Sequence, residues 1–373
     1  MIRVIVLLAC TSLMLTGCTA LRNGARATRF LVPTSTPALL PTMSAHPAAT
    51  ATPTNPLPTV TPSGPPEVAP LPIPLAGPAA QRNAEFSGMA WYRDTLILLP
   101  QYPDYFTLDG QGVLFGLPKA DLLAFLDGAM PGPLQPFEIP FSAAGLADAL
   151  PGFEGYEAIA FDGERAYLTV EAETWSDSSG YLVAGWMAPD LSSLTVVTSN
   201  VAQLPSQSGL GNKSDEALVV TPEGVLTIHE VNGAEFNPAP FVHRFVGDLI
   251  PLGTAPFPQI EYRITDATAL DDTGHFWAIN YFFPGDDELA TTSDPIAEQH
   301  GRGPTHSIRP QVERLVEFVF DGEQVTQSAE PPIQLQLTLL ARNWEGIASL
   351  DERGFLLITD QFPETTLAFV ARE

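Results

Sequence analysis

The chain has 373 residues, 45% of them hydrophobic, and a formal net charge of −26 at pH 7. That length and apolar content suffice for one large domain or two ordinary ones with a sizeable core. The charge argues against nucleic acid as a partner and against an anionic lipid surface, both of which it repels, and favours cations.

Residues 1–17 hold Arg3, an apolar run (VIVLLACTSLMLT) and then small residues, the layout of an export signal and too short for a spanning helix. The tetrapeptide Leu15-Thr16-Gly17-Cys18 resembles the lipobox of bacterial lipoproteins. The resemblance implies cleavage before Cys18, a lipid on its thiol, and an exported, membrane-anchored protein facing the cell exterior or the periplasm. An ordinary cleaved signal is the alternative. The other cysteine, Cys10, lies in the segment to be removed, so no disulfide is expected in the mature protein. Residues 18–80 are dominated by Pro, Thr and Ala and read as an extended or disordered stalk without a core of its own. Four arginines and Glu67 lie before residue 81, which leaves 13 basic and 42 acidic residues for the rest of the chain.

Residues 81–373 show short β-rich runs separated by Gly, Pro, Asp and Asn, and are predicted to be all-β. One hairpin pattern recurs five times: Ser87–Gln101, Glu157–Glu171, Glu216–Glu230, Asp266–Asn280 and Glu345–Asp360. In Glu157–Glu171 the two apolar runs flank Asp162-Gly163, a turn signal. Each gap holds further strand candidates: Tyr181–Met187 and Leu194–Ser199 in one, Phe241–Val246 and Gln259–Ile264 in the next. Four strands per repeat predict a β-propeller of four-stranded blades. Five blades are favoured, and six stay open because two of the gaps are long. The last repeat has one strand after its hairpin, TTLAFVA, so its outermost strand should come from Pro70 to Ala76 and close the ring. The domain is expected to stand as a monomer.

In a blade the start of the innermost strand and the end of the second lie at the same mouth of the ring. The marked positions therefore converge: Ser87, Gln101, Glu157, Glu171, Glu216, Glu230, Asp266, Asn280, Glu345 and Asp360. A constant offset of 14 within the four 15-residue copies predicts that each pair shares one face of its hairpin. Crowded acids need positive charge. Lys213, Arg263 and Arg342 each stand three residues before the acid of their repeat and are candidates to hold an anionic ligand. The other source is a metal, and an all-oxygen set of Glu157, Glu171, Glu216, Glu230, Asp266, Asn280, Glu345 and Asp360 favours calcium. The alternative is that these acids bond the backbone of neighbouring blades and pair with the three cations. His229 reads as a packed histidine, and no catalytic triad can be assigned.

The segments NWEGIA (Asn343–Ala348), LLITDQ after it, and GYEAIAFDG resemble motifs of the bacterial phytase-like family, whose description is "esterase-like activity of phytase". The resemblance runs from about residue 83 to the end. It implies a propeller with phosphoesterase-type activity: calcium polarises a phosphoryl oxygen while Lys213, Arg263 and Arg342 hold the phosphate. A non-enzymatic surface propeller for sugars, peptides or a protein partner is the competing reading. Between Pro284 and Gln311 a long insertion carries His300, Arg302, His306 and Arg309, and is expected to fold over the acidic mouth and contact an anionic ligand. Tyr102, Tyr105, Trp175 and Phe236 are expected to wall the same pocket.

Overall fold

The computed structural model describes residues 64–174 and 177–372; the segment read as an export signal, Cys18, most of the segment read as a stalk, and Trp175 lie outside the described residues. Five four-stranded antiparallel units follow one another in the chain. Blade 1 is Phe86–Tyr92, Thr95–Pro100, Gly112–Pro118 and Phe137–Ser142. Blade 2 is Phe153–Asp162, Arg165–Thr174, Asp177–Met187 and Leu194–Pro205. Blade 3 is Asp215–Thr221, Gly224–His229, Phe241–Val246 and Ile250–Pro256. Blade 4 is Arg263–Ala267, His275–Phe282, Val312–Phe320 and Ile333–Leu335. Blade 5 is Trp344–Leu350, Gly354–Thr359 and Leu367–Ala371, completed by Leu71–Ile73.

The innermost strands touch in a closed cycle, and the fold is a five-bladed β-propeller. The closure read from Pro70–Ala76 holds: Leu71, Pro72 and Ile73 pair antiparallel with Phe369, Ala368 and Leu367. Such pairing leaves no raw edge where the chain ends meet. Two parallel pairings tighten the rim. Leu194 and Thr195 of blade 2 pair with Phe141 and Ser142 of blade 1, and Glu67–Val68 pair with Gln334 and Leu335 of blade 4.

Each blade presents alternating apolar residues to both neighbours, so the core divides into inter-blade seams. Phe86, Leu98 and Phe115 meet Ala348, Leu356 and Ile358 between blades 1 and 5, while Leu114 and Ile139 meet Leu168 and Val183 between blades 1 and 2. Tyr167 and Leu182 meet Leu218 and Val225 between blades 2 and 3, and Ile228 meets Phe276 and Phe318 between blades 3 and 4. The turn at Asp162-Gly163 forms as expected, with Gly163 at φ +60°, a conformation that glycine enters without steric cost.

Three sequence expectations are corrected. Gln259–Ile264 is not the outer strand of blade 3; Ile250–Pro256 takes that place, and Arg263 already opens the inner strand of blade 4. The marked residues of one hairpin are not cross-strand partners either: the turn register Asp162↔Arg165 would set Glu157 opposite Val170, and every inner strand is in addition bulged at its marked residue. Register slips between Phe86 and Gly88, Tyr156 and Ala158, Asp215 and Ala217, Ile264 and Ala267, and Trp344 and Gly346. A bulge leaves the extra residue unpaired and re-aims its side chain. Glu171 consequently pairs with Gly155, not with Glu157.

The third correction concerns the insertion, which starts at the mouth but does not cover it. Its far end fastens the segment that precedes the domain: Glu67 accepts from Thr305 N, Thr305 Oγ1 and His306 N, and lies 2.9 Å from His306 Nδ1. His306 is buried in that latch, with burial and the Glu67 pairing opposing each other and a net lowering of its pKa. Arg302 is exposed 4.0 Å from Asp294, and neither it, His300 nor Arg309 lines the mouth.

Candidate functional site

The mouth toward which the marked residues converge opens into a cavity of about 350 Å³. Its walls include Ser87, Gln101, Glu157, Glu171, Glu216, Glu345 and Asp360, together with Lys213 and Arg263. The bulges account for this: Ser87, Glu157, Glu216 and Glu345 are the unpaired residues of four inner strands, released from the sheet ladder to face the channel.

Arg263 sits among the acids. Its Nε donates to Glu230 at 2.6 Å, and its Nη2 donates to Glu216 at 3.0 Å and to Glu345 at 3.4 Å. Lys213 Nζ lies 3.6 Å from Glu230. Glu230 is fully buried, and although burial alone would raise its pKa, Arg263 and Lys213 hold it below the usual carboxylate range. Both cations thus serve one side of the ring. No cation stands beside Glu157 among the described residues: it accepts there only from Gln101 Nε2 at 3.1 Å, and burial and then the charge of Glu171 push its pKa well up. Glu171 is pushed up to about 7 by burial and by Glu230, with Lys213 and Arg263 opposing. Its Oε1 is buried and has no hydrogen-bond partner among the described residues. Glu345 is pushed up to about 8, by burial in the first place, against the pull of Arg263.

Three of the marked residues, Glu230, Asp266 and Asn280, are not among the walls of the cavity. Asp266 accepts from Ile347 N at 2.8 Å, tying blade 4 to blade 5. Asn280 donates to the carbonyls of Glu261 and Arg263 and accepts from Arg314 Nε at 2.7 Å. Arg342, expected to face a ligand, instead pairs with Glu313 at 2.7 Å and donates to the Gln336 carbonyl. Glu313 also accepts from Trp344 Nε1, so this acid saturates the loop entering blade 5. Asp360 does face the cavity, held by Asn343 Nδ2 at 2.9 Å and Phe362 N at 2.6 Å.

Sequence reading missed a second group of walls: Glu85, Phe86, Asn212, Tyr281, Phe283, Asp286, Asn343 and Phe362. Most flank a marked residue within two positions, which was the available signal. Phe283 and Phe362 approach edge to face at 6.0 Å. Tyr102 and Tyr105 stack on each other at 4.9 Å outside the cavity wall, and Phe236 packs with Val231 and Tyr262. His229 is packed as expected, fully buried, with its pKa pushed down to about 4 by burial.

The donor set was tested against a metal. Among the described residues no group of three or more Asp, Glu, His or Cys side chains is arranged to hold one. Arg263 already occupies the point where Glu216, Glu230 and Glu345 converge. Glu157, Glu171 and Gln101 are the oxygen donors that remain on the cation-poor side.

No family model matches the chain, and no curated protein matches it. Solved structures do. One is a candidate glycoside hydrolase from Parabacteroides distasonis, 10% identical, covering 83% of this chain and 94% of its own, with TM-score 0.45. A second represents the GH130 family of mannoside phosphorylases, at 10% identity, 86% and 99% coverage and TM-score 0.44. A third is a Cellvibrio cellulosa α-L-arabinanase complexed with arabinohexaose, at 11% identity, 75% and 88% coverage and TM-score 0.39. At these identities and scores the likenesses carry no argument about ligand or reaction.

Proposed function

We propose that the acidic mouth binds a neutral, hydroxyl-rich ligand, a glycoside by class, and hydrolyses it by acid–base catalysis on the Glu157–Glu171 pair. The observation that carries the reading is that Glu157 and Glu171 both line the cavity, with the charge of Glu171 adding to the burial that pushes the pKa of Glu157 up. Two neighbouring carboxyls buried in one acidic site hold a shared proton near neutrality. The protonated member donates to a departing oxygen and the ionised partner activates water or stabilises positive charge on the sugar ring. Gln101, Asn212 and Asn343 supply amides for hydroxyls, and Phe283 and Phe362 supply apolar faces for a sugar ring. An anionic ester fits less well on its own, since Arg263 and Lys213 are already neutralised by Glu216, Glu230 and Glu345.

A second reading follows from the same excess of acid. Calcium held by Glu157, Glu171 and Gln101 would offset it and admit a phosphate ester, which is the activity the phytase-like resemblance implies. In either reading the lipobox-like segment supports an exported domain carried on Cys18.

The test is a panel of aryl glycosides and aryl phosphates, each assayed with calcium and with chelator. Glycoside turnover that survives chelation and drops about 100-fold or more in Glu171→Gln is expected. Phosphate ester turnover that needs calcium would instead establish the second reading. Loss of neither activity in Glu171→Gln would remove the pair from the chemistry.

A further inference from the structure

Among the described residues ten buried side-chain atoms lack a hydrogen-bond partner, and their distribution is uneven. Six of them, on Thr169, Glu171, Ser214, Asp215, His229 and His243, belong to the seam between blades 2 and 3. The strand alternation places them there. Leu168 and Val170 pack toward blade 1, so Thr169 and Glu171 face blade 3. Leu226 and Ile228 pack toward blade 4, so Thr227 and His229 face blade 2, and His243 is the cross-strand partner of Thr227. Asp215, the cross-strand partner of His229, accepts from Thr227 Oγ1 at 2.6 Å through one oxygen and leaves the other free of protein partners among the described residues.

Gly180 links the two halves of this set. It is the cross-strand partner of Glu171, and a Cβ built on it would lie 3.4 Å from Asp215 N and from Ser214 Cβ. Leu204 Cβ stands at the same 3.4 Å, so the missing side chain of Gly180 leaves a space of about methyl size bounded by Ser214, Asp215 and Leu204 beside the strand position of Glu171. A buried polar atom without a partner costs about 1–3 kcal/mol, and several in one seam of a native fold call for a shared polar guest.

We propose that blades 2 and 3 enclose an ordered-water site beside Gly180 that joins Glu171 at the mouth to the Asp215–His229 pair behind it. Water is the guest whose size and twofold donor and acceptor capacity match a lining of carboxyl, hydroxyl and imidazole groups. The site gives Glu171 Oε1 and Asp215 Oδ2, each buried and without a protein partner among the described residues, a shared hydrogen-bond partner in addition to whatever enters the cavity. His229 accepts from Val231 N through Nδ1, so its neutral ring carries the proton on Nε2 and donates it to the water, which it orients.

Two substitutions distinguish a wet seam from a dry one without reference to any ligand of the mouth. Gly180→Ala places a methyl at ordinary contact distance, and Thr169→Val removes an orphaned hydroxyl at constant shape. In a dry seam both changes raise the melting temperature or leave it alone, since one fills space and the other removes an unpaired group. In a wet seam both expel or unpair water, and each is expected to lower the melting temperature by about 2–4 °C. A crystal structure of the wild type would then show water within hydrogen-bond reach of Asp215 Oδ2 and Glu171 Oε1. Increased stability in both variants, or a refined seam without water, would overturn the proposal; a metal or other ion refined there would do so as well.

Discussion

Arg263→Met is expected to destabilise the domain by about 3–5 kcal/mol, the usual cost of leaving buried charges without their counter-ion. From blade 4 the guanidinium touches Glu216 and Glu230 of blade 3 and Glu345 of blade 5, and its side chain is only 12% exposed. Methionine keeps the packing of the aliphatic stem and removes the charge, so the loss reports electrostatics. Glu230 suffers most, because it is completely buried and keeps Lys213, at 3.6 Å, as its remaining counter-ion beside a hydrogen bond from Ser214 N. The double variant Arg263→Met with Glu230→Gln should recover a large part of the deficit, and urea unfolding of the four proteins measures the coupling directly. A loss below about 1 kcal/mol would mean that the acids simply take up protons when the arginine leaves.

How this centre arises explains which parts of the sequence could be read. The five hairpins were legible because apolar alternation and turn residues are local, and the closing strand because a blade short by one strand must find it elsewhere. Arg263 and Lys213 were legible as cations next to the acids of their repeats. Arg342 has the same spacing and a different fate, since Glu313, 29 residues earlier in the chain, captures it. Nothing near Arg342 in sequence announces that partner. The bulges were equally hidden: a one-residue slip reverses which face a side chain takes, and the composition around Glu157 or Glu345 is that of an ordinary strand. The insertion misled for a related reason. Its histidines and arginines looked like ligand groups, whereas Glu67, in a segment that reads as stalk, draws Thr305 and His306 into a structural latch.

The same charge imbalance predicts that stability declines as pH rises through neutrality. Glu171 and Asp215 titrate at about 7 and Glu345 at about 8 in the folded chain, each raised above its ordinary value chiefly by burial. Between the ordinary carboxyl range and those raised values the folded protein holds protons that the unfolded chain has lost, so unfolding becomes easier with every added pH unit. Each such group contributes up to about 1.4 kcal/mol per pH unit within that window. Glu230 works in the opposite sense: its pKa is lowered, so its contribution is lost only as the pH falls below the ordinary carboxyl range. Melting temperature should therefore be highest near pH 5 and fall toward pH 8. Glu171→Gln and Asp215→Asn, which cannot ionise, should each flatten the decline between pH 5 and 7, whereas Glu345→Gln should extend the flattening toward pH 8. Thermal melts across this range, in chelator to keep cations from competing with protons, decide the matter. A melting temperature that climbs from pH 5 to pH 8 would show that the mouth acids are ionised and paired in the folded protein, and would remove the proton reserve on which acid–base chemistry at Glu157 and Glu171 depends.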